Sequence, residues 1–183
     1  MRNSIVFLVK HCFLCFIVIS CASNNNEASD SPINEFNYEH FTIRLDSSLW
    51  EEFLVERNIT SFKKKEETHH NYQFNFTGVL LYEGNDAIDY DIESILEDNF
   101  SELSNIYFGT KIISSNKLDS HYEGCYLSFA AYTKDEISIG VMIYVFRAGN
   151  KIYMFSFQAD NQKGAFKNKI EEIESIVSQI ILH

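Results

Sequence analysis

The chain has 183 residues, with 26 acidic against 15 basic side chains and a formal net charge of −11. That balance excludes a nucleic-acid partner, whose phosphates need a basic surface, and it disfavours attraction to anionic headgroups. With 45% apolar and 15% aromatic residues, a chain of this length suits one domain with a packed core.

Residues 1–20 hold none of the acids. Arg2, Lys10 and His11 accompany an apolar run, Cys12-Phe13-Leu14-Cys15-Phe16-Ile17-Val18-Ile19, in the positive-then-apolar layout of a secretory signal. The run is shorter than the ~20 residues a membrane-spanning helix needs. Polar Ala22-Ser23-Asn24-Asn25-Asn26-Glu27 follows it. Val18-Ile19-Ser20-Cys21 resembles the lipobox of bacterial lipoproteins, in which the cysteine is acylated and becomes the new amino terminus. The resemblance implies that residues 1–20 are a lipoprotein signal peptide and that Cys21 is the lipidation site. One acyl chain holds a protein marginally, and two or more hold it stably. Cys12 and Cys15 follow no small residue and would leave with the signal. Cleavage there leaves 163 residues with 13 basic and 26 acidic side chains, a formal charge of −13. Ala22, not an aspartate, stands second after the anchor, which points to the outer membrane of a two-membrane cell, facing the periplasm.

Residues 21–37 are rich in Ser, Asn, Glu and Asp and include the only proline, Pro32. This composition predicts a lipidated, flexible tether, with a globular domain over residues 38–183. In that domain residues 41–45 alternate with period two, predicting a strand that stops at Asp46-Ser47-Ser48. Residues 50–57 are ambiguous and fit a short helical turn. The charge run at residues 63–67 predicts a solvated loop. Residues 72–82 are rich in β-formers and end at Gly84-Asn85-Asp86. The period then changes: Ile92, Ile95, Leu96, Leu103 and Ile106 follow helical spacing, with Asp89 or Asp91 placed to cap the start.

Residues 110–115, 122–133 and 137–147 predict three strands, with a turn at Lys134-Asp135-Glu136. Ala148-Gly149-Asn150 predicts a tight hairpin loop into a strand over residues 151–159. Phe166, Ile170, Ile173, Val177, Ile180 and Ile181 form one apolar stripe at helical spacing, opposite Glu171, Glu172, Glu174, Ser175 and Ser178. A single sheet covered by helices packs these elements economically.

From Phe41 to Leu182 the order of elements resembles the PsbP-like superfamily, which includes photosystem II PsbP subunits, DcrB-type bacterial lipoproteins and a Ran-binding import factor. The resemblance rests on Phe-Thr-Ile-Arg-Leu-Asp-Ser-Ser-Leu-Trp, the helix Asp-Ile-Glu-Ser-Ile-Leu-Glu-Asp-Asn-Phe and Gly-Cys-Tyr-Leu-Ser-Phe-Ala-Ala-Tyr. The hairpin Tyr-Val-Phe-Arg-Ala-Gly-Asn-Lys-Ile-Tyr-Met-Phe-Ser-Phe-Gln-Ala and the closing helix complete it. Asp46 stands where the family usually carries proline. The resemblance implies an α+β fold, an α/β/α sandwich with a central, mainly antiparallel sheet covered by helices. It also implies a non-enzymatic accessory role, since relatives dock onto larger assemblies.

Candidate chemistry is sparse. His69 and His70 lie beside Glu66 and Glu67, but adjacent side chains diverge on a strand and seldom share one ion; a solvated loop is the plainer account. His40 and His121 are isolated. Asp86, Asp89, Asp91 and Glu93 precede the helix, where capping and the helix dipole explain them, with a weak cation site as the alternative. Cys125 is expected to be a buried structural thiol. No phosphate loop, Gly-x-Ser-x-Gly or Cys-x-x-Cys occurs, and the seven glycines are taken as turn residues. No catalytic, cofactor-binding or metal-ligating residue is assigned. Tyr126, Tyr132, Tyr144 and Tyr153 lie on strands that are apolar on both faces; helices cover both, or one face stays open as an aromatic binding surface.

These features predict a membrane-anchored accessory or interaction module for an envelope protein complex. The alternatives are a binder of a small apolar ligand or lipid, which requires a cavity of ~300 Å³ or more, and an enzyme, which requires converging titratable groups.

Overall fold

A computed structural model describes residues 33–65, 73–118 and 121–183. The described chain opens with β1 (Ile33–Asn37), β2 (Phe41–Asp46), β3 (Trp50–Glu56), β4 (Ile59–Lys64) and β5 (Asn75–Glu83). Two helices follow, α1 (Asn85–Asp89) and α2 (Ile92–Ile106). Four long strands come next: β6 (Phe108–Leu118), β7 (Glu123–Tyr132), β8 (Ser138–Ala148) and β9 (Lys151–Asp160). A 3-10 stretch (Gln162–Lys169), α3 (Ile170–Val177) and the two-residue β10 (Ile181–Leu182) complete it.

Strands pair in the order β3-β4-β5-β9-β8-β7-β6 to make a seven-stranded sheet, antiparallel throughout. β1, β2 and β10 form a separate antiparallel sheet with β2 in the middle. β8 is apolar at nearly every position, as a strand buried on both faces must be. Successive side chains alternate between faces, so Ile139, Val141, Ile143 and Val145 share one face and Met142, Tyr144 and Phe146 the other. The first face lies under α2, which packs on β7 and β8; Phe100 meets Phe129 edge-on at 5.2 Å. The second face forms the main aromatic core with β2, Phe166 and α3. There Phe41 meets Phe155 edge-on at 5.3 Å, and Phe76 stacks on Phe157 at 5.1 Å. Full burial of one such side chain is worth about 1.5–3 kcal/mol.

The fold is thus α+β around a central antiparallel sheet, with α2 on one side. The covering layer on the other side is mixed rather than helical, because the three-stranded sheet shares it with α3. Among the described residues no helix is long and apolar enough to cross a membrane.

Several boundaries differ from the sequence expectations. Ile33–Asn37, within the span expected to be tether, is a strand paired with β2. Residues 50–56 are a strand, not a helical turn. Trp50 is buried between Phe74 and Phe76, with ring centroids at 5.0 and 5.4 Å, and pairing with β4 supplies the hydrogen bonds. Lys63 and Lys64 end β4 and do not lie in a loop; they pair with Glu51 at 3.1 Å and Glu172 at 2.8 Å. The carboxyl-terminal helix is shorter than its apolar stripe. Lys163 and Gly164 take positive φ, and α3 ends at Val177. Beyond it the chain trades helix for strand, with Ile181 opposite Thr42 and Leu182 opposite Phe41. The expected hairpin loop is present: Gly149 has φ 58°, as the first residue of a tight β8–β9 turn requires.

Candidate functional site: an aromatic cleft between sheet and helix

The second face of β7 and β8 is not covered along its whole length. Period-two geometry places Tyr126 opposite Tyr144, with ring centroids at 5.6 Å. Phe146 follows two residues later and its ring lies within 5° of parallel to that of Tyr144 at 6.0 Å. Tyr122, just before β7, packs edge-on against Phe146 at 6.4 Å. These rings and Leu118 form one wall, and Val177, Ser178, Ile180 and Leu182 form the other. The cleft between them holds about 460 Å³, within the ~300–1,000 Å³ typical of small-molecule sites.

Its polar equipment is limited. The Tyr122 hydroxyl accepts from the Leu182 backbone N–H at 3.2 Å. The Tyr144 hydroxyl donates to Met142 Sδ at 3.5 Å, a weak acceptor. Burial, with the Glu174 carboxylate adding to it, raises the Tyr144 phenol well above its ordinary range, so it stays neutral. Apart from the tyrosine phenols, His121 and Glu174 are the ionisable groups among the described lining residues. Glu174 is exposed, and its carboxylate has no hydrogen-bond or ion-pair partner among the described residues. Such a site can hold an apolar body and orient a donor or cation; among the described residues the lining contains no Ser, Cys or Lys held against a general base.

Of the four tyrosines singled out in the sequence, the structure brings Tyr126 and Tyr144 together in this cleft. Tyr153 shares their face but is core, its hydroxyl donating to the His183 carbonyl. Tyr132 is exposed at the far end of β7. The opposite wall was not anticipated, because Val177 and Ile180 read as ordinary core positions and Glu174 as solvated surface. Their joint signal is an apolar stripe that outruns its helix.

The other candidates do not converge on this site. Cys125 is buried under α2, its Sγ 3.6 Å from the Ile92 carbonyl, and burial pushes the thiol up to about 11. Asp91 caps α2, accepting from the Glu93 and Ser94 N–H groups at 3.3 Å each, and Glu93 pairs with Lys117 at 2.5 Å. His40 is buried, with Nδ1 unpartnered among the described residues, beside a second cleft of about 340 Å³ that also involves Glu39 and Arg57. Among the described residues no three His, Cys, Asp or Glu side chains cluster as metal ligands would. Cys21, His69 and His70, with Glu66 and Glu67, lie outside the described residues.

Neither a protein-family model nor a curated protein matches the sequence. Solved structures do match the fold. CyanoP, a cyanobacterial PsbP from Synechocystis, is 9% identical with a TM-score of 0.65, over 88% of this chain and 98% of its own. LpqN from Mycobacterium tuberculosis, described as involved in cell envelope biogenesis, is 13% identical with a TM-score of 0.56, over 84% and 92%. A Pseudomonas aeruginosa protein of unknown function is 6% identical with a TM-score of 0.55, over 82% and 97%. At these identities the likeness is one of architecture, and the chain has the PsbP-like fold.

Proposed function

We propose that the chain is a non-enzymatic accessory lipoprotein of the bacterial envelope that works by binding an apolar molecule in the aromatic cleft. The cleft carries this conclusion: about 460 Å³ walled by Tyr122, Tyr126, Tyr144, Phe146, Val177 and Ile180, with no nucleophile–base pair among the described lining residues. Attachment through lipid on Cys21, with the outer membrane facing the periplasm as its place, is supported by the lipobox-like Val18-Ile19-Ser20-Cys21 and by Ala22. The fold shared with an envelope-biogenesis protein is consistent with that setting.

The test is titration of the full chain with the neutral fluorophore N-phenyl-1-naphthylamine. Wild type should bind it saturably. Ser178→Trp, which fills the cleft mouth from an exposed position, should weaken binding about tenfold or more, equivalent to ~1.4 kcal/mol, at an unchanged melting temperature. Equal binding by both proteins overturns the assignment.

A second role, docking to an envelope protein complex, is favoured by a separate observation. β6 is an edge of the seven-stranded sheet and exposes Phe108, Ile112 and Ile113 beside Tyr132. Exposed apolar side chains along a sheet edge are what partner surfaces provide.

A further inference from the structure

The cleft combines two features that its apolar volume alone does not require. Four aromatic rings, from Tyr122, Tyr126, Tyr144 and Phe146, line one wall. Glu174, projecting from α3 on the opposite side, is the one carboxylate among the described lining residues; neither lysine nor arginine joins it there, and His121 is the one basic side chain. The neighbouring Glu172 is paired with Lys64 at 2.8 Å and lies 3.9 Å from Lys169. Glu174 is left without a cation. Aromatic faces attract cations through their quadrupole, and an unpaired carboxylate at the rim of an apolar site adds attraction of the same sign. A carboxylate-headed amphiphile would meet repulsion there, reinforced by the chain's charge of −11. A volume of about 460 Å³ is small for a two-chain lipid, since it lies low in the ~300–1,000 Å³ range of small-molecule sites.

We propose that the ligand of the aromatic cleft is a single-chain cationic amphiphile, its alkyl part against Tyr126, Tyr144 and Phe146 and its ammonium group beside Glu174. The proposal rests on the apolar-binding role of the cleft and adds the charge of the ligand to it. Ring faces and carboxylate act on one headgroup, so ammonium is preferred over hydroxyl, and hydroxyl over carboxylate.

Calorimetric titration of the full chain with octyltrimethylammonium, 1-octanol and octanoate, each below any aggregation threshold, tests this order. The ammonium ion should bind about five- to tenfold more tightly than octanol, and octanoate should bind weakest. Glu174→Gln should remove most of the ammonium advantage while leaving octanol binding unchanged. Glu171→Gln, on the same helix but off the cleft lining, separates local from overall charge and should leave the advantage intact. Equal affinities for ammonium and octanol, or equal losses in the two glutamine variants, overturn charge selectivity and leave apolar binding standing. If none of the three probes binds, the binding role and the charge preference fall together.

Discussion

Gly140 shows how a single position can be set by a neighbour distant in sequence. It lies inside β8, not in a turn, and a Cβ built there would stand 1.9 Å from Phe166 Cγ and 2.4 Å from its Cβ. Phe166 is fully buried and seats the 3-10 stretch on the sheet, so the missing side chain is what lets that segment close. Gly140→Ala should therefore destabilise the domain by about 1–3 kcal/mol, the usual cost of overpacking, seen as a lower urea midpoint. Phe166→Ala, which removes Cγ and the ring, should cost less in the Gly140→Ala background than alone; full additivity of the two losses would refute the clash. The sequence offered Gly140 as one more turn glycine because its reason lies 26 residues away. Cys125 was legible by contrast, since its alternating apolar neighbours already placed it on a buried strand face.

At the scale of elements, legibility followed how local the stabilising interactions are. α2 is carried by its own stripe, Ile92, Ile95, Leu96 and Leu103, and by its own cap, and both were visible in the sequence. β3 and β4 depend on each other and on Trp50 filling the space beside Phe74 and Phe76, which no local pattern announces. α3 stops where pairing of β10 with β2 outcompetes the helix its stripe could have continued. The missed wall of the cleft has the same origin, because the residues past Val177 turn away from helical positions. The α2 cap also predicts a pH response. The Ser94 hydroxyl, followed by the Glu93 and Ser94 N–H groups, holds the Asp91 carboxyl below the usual aspartate range. A carboxyl with a lower pKa folded than unfolded stabilises fully above the unfolded value of about 3.9. That contribution is lost as pH falls from the unfolded value through the lower folded one. Urea midpoints should fall over this window, and Asp91→Asn, which keeps the cap, should flatten part of the fall. Identical pH profiles would show that the cap ionisation does not contribute.

At the scale of the molecule, the β6 edge and the proposed anchor constrain each other. β6 is long and bears apolar side chains, yet two register shifts interrupt its pairing with β7 and Lys111 and Lys117 punctuate it. Bulges and lysines discourage open-ended strand addition, so contact through Phe108, Ile112 and Ile113 side chains suits this edge better than extension of the ladder. Such separate side-chain contacts are weak by themselves and gain from confinement beside a partner. With β1 beginning at Ile33, 12 residues after Cys21, a lipid on that cysteine would hold the start of the domain within about 40 Å of the membrane, the limit of an extended chain. Palmitate should label wild type in growing cells and not Cys21→Ser, which should also leave the membrane fraction. A photo-crosslinking residue at Ile113 should capture one recurrent envelope protein in wild type and lose it in Cys21→Ser, while cleft binding of N-phenyl-1-naphthylamine is the same in both purified proteins. Label persisting in Cys21→Ser removes the anchor. A crosslink that survives without label would show that the edge needs no confinement, because its affinity alone would then suffice.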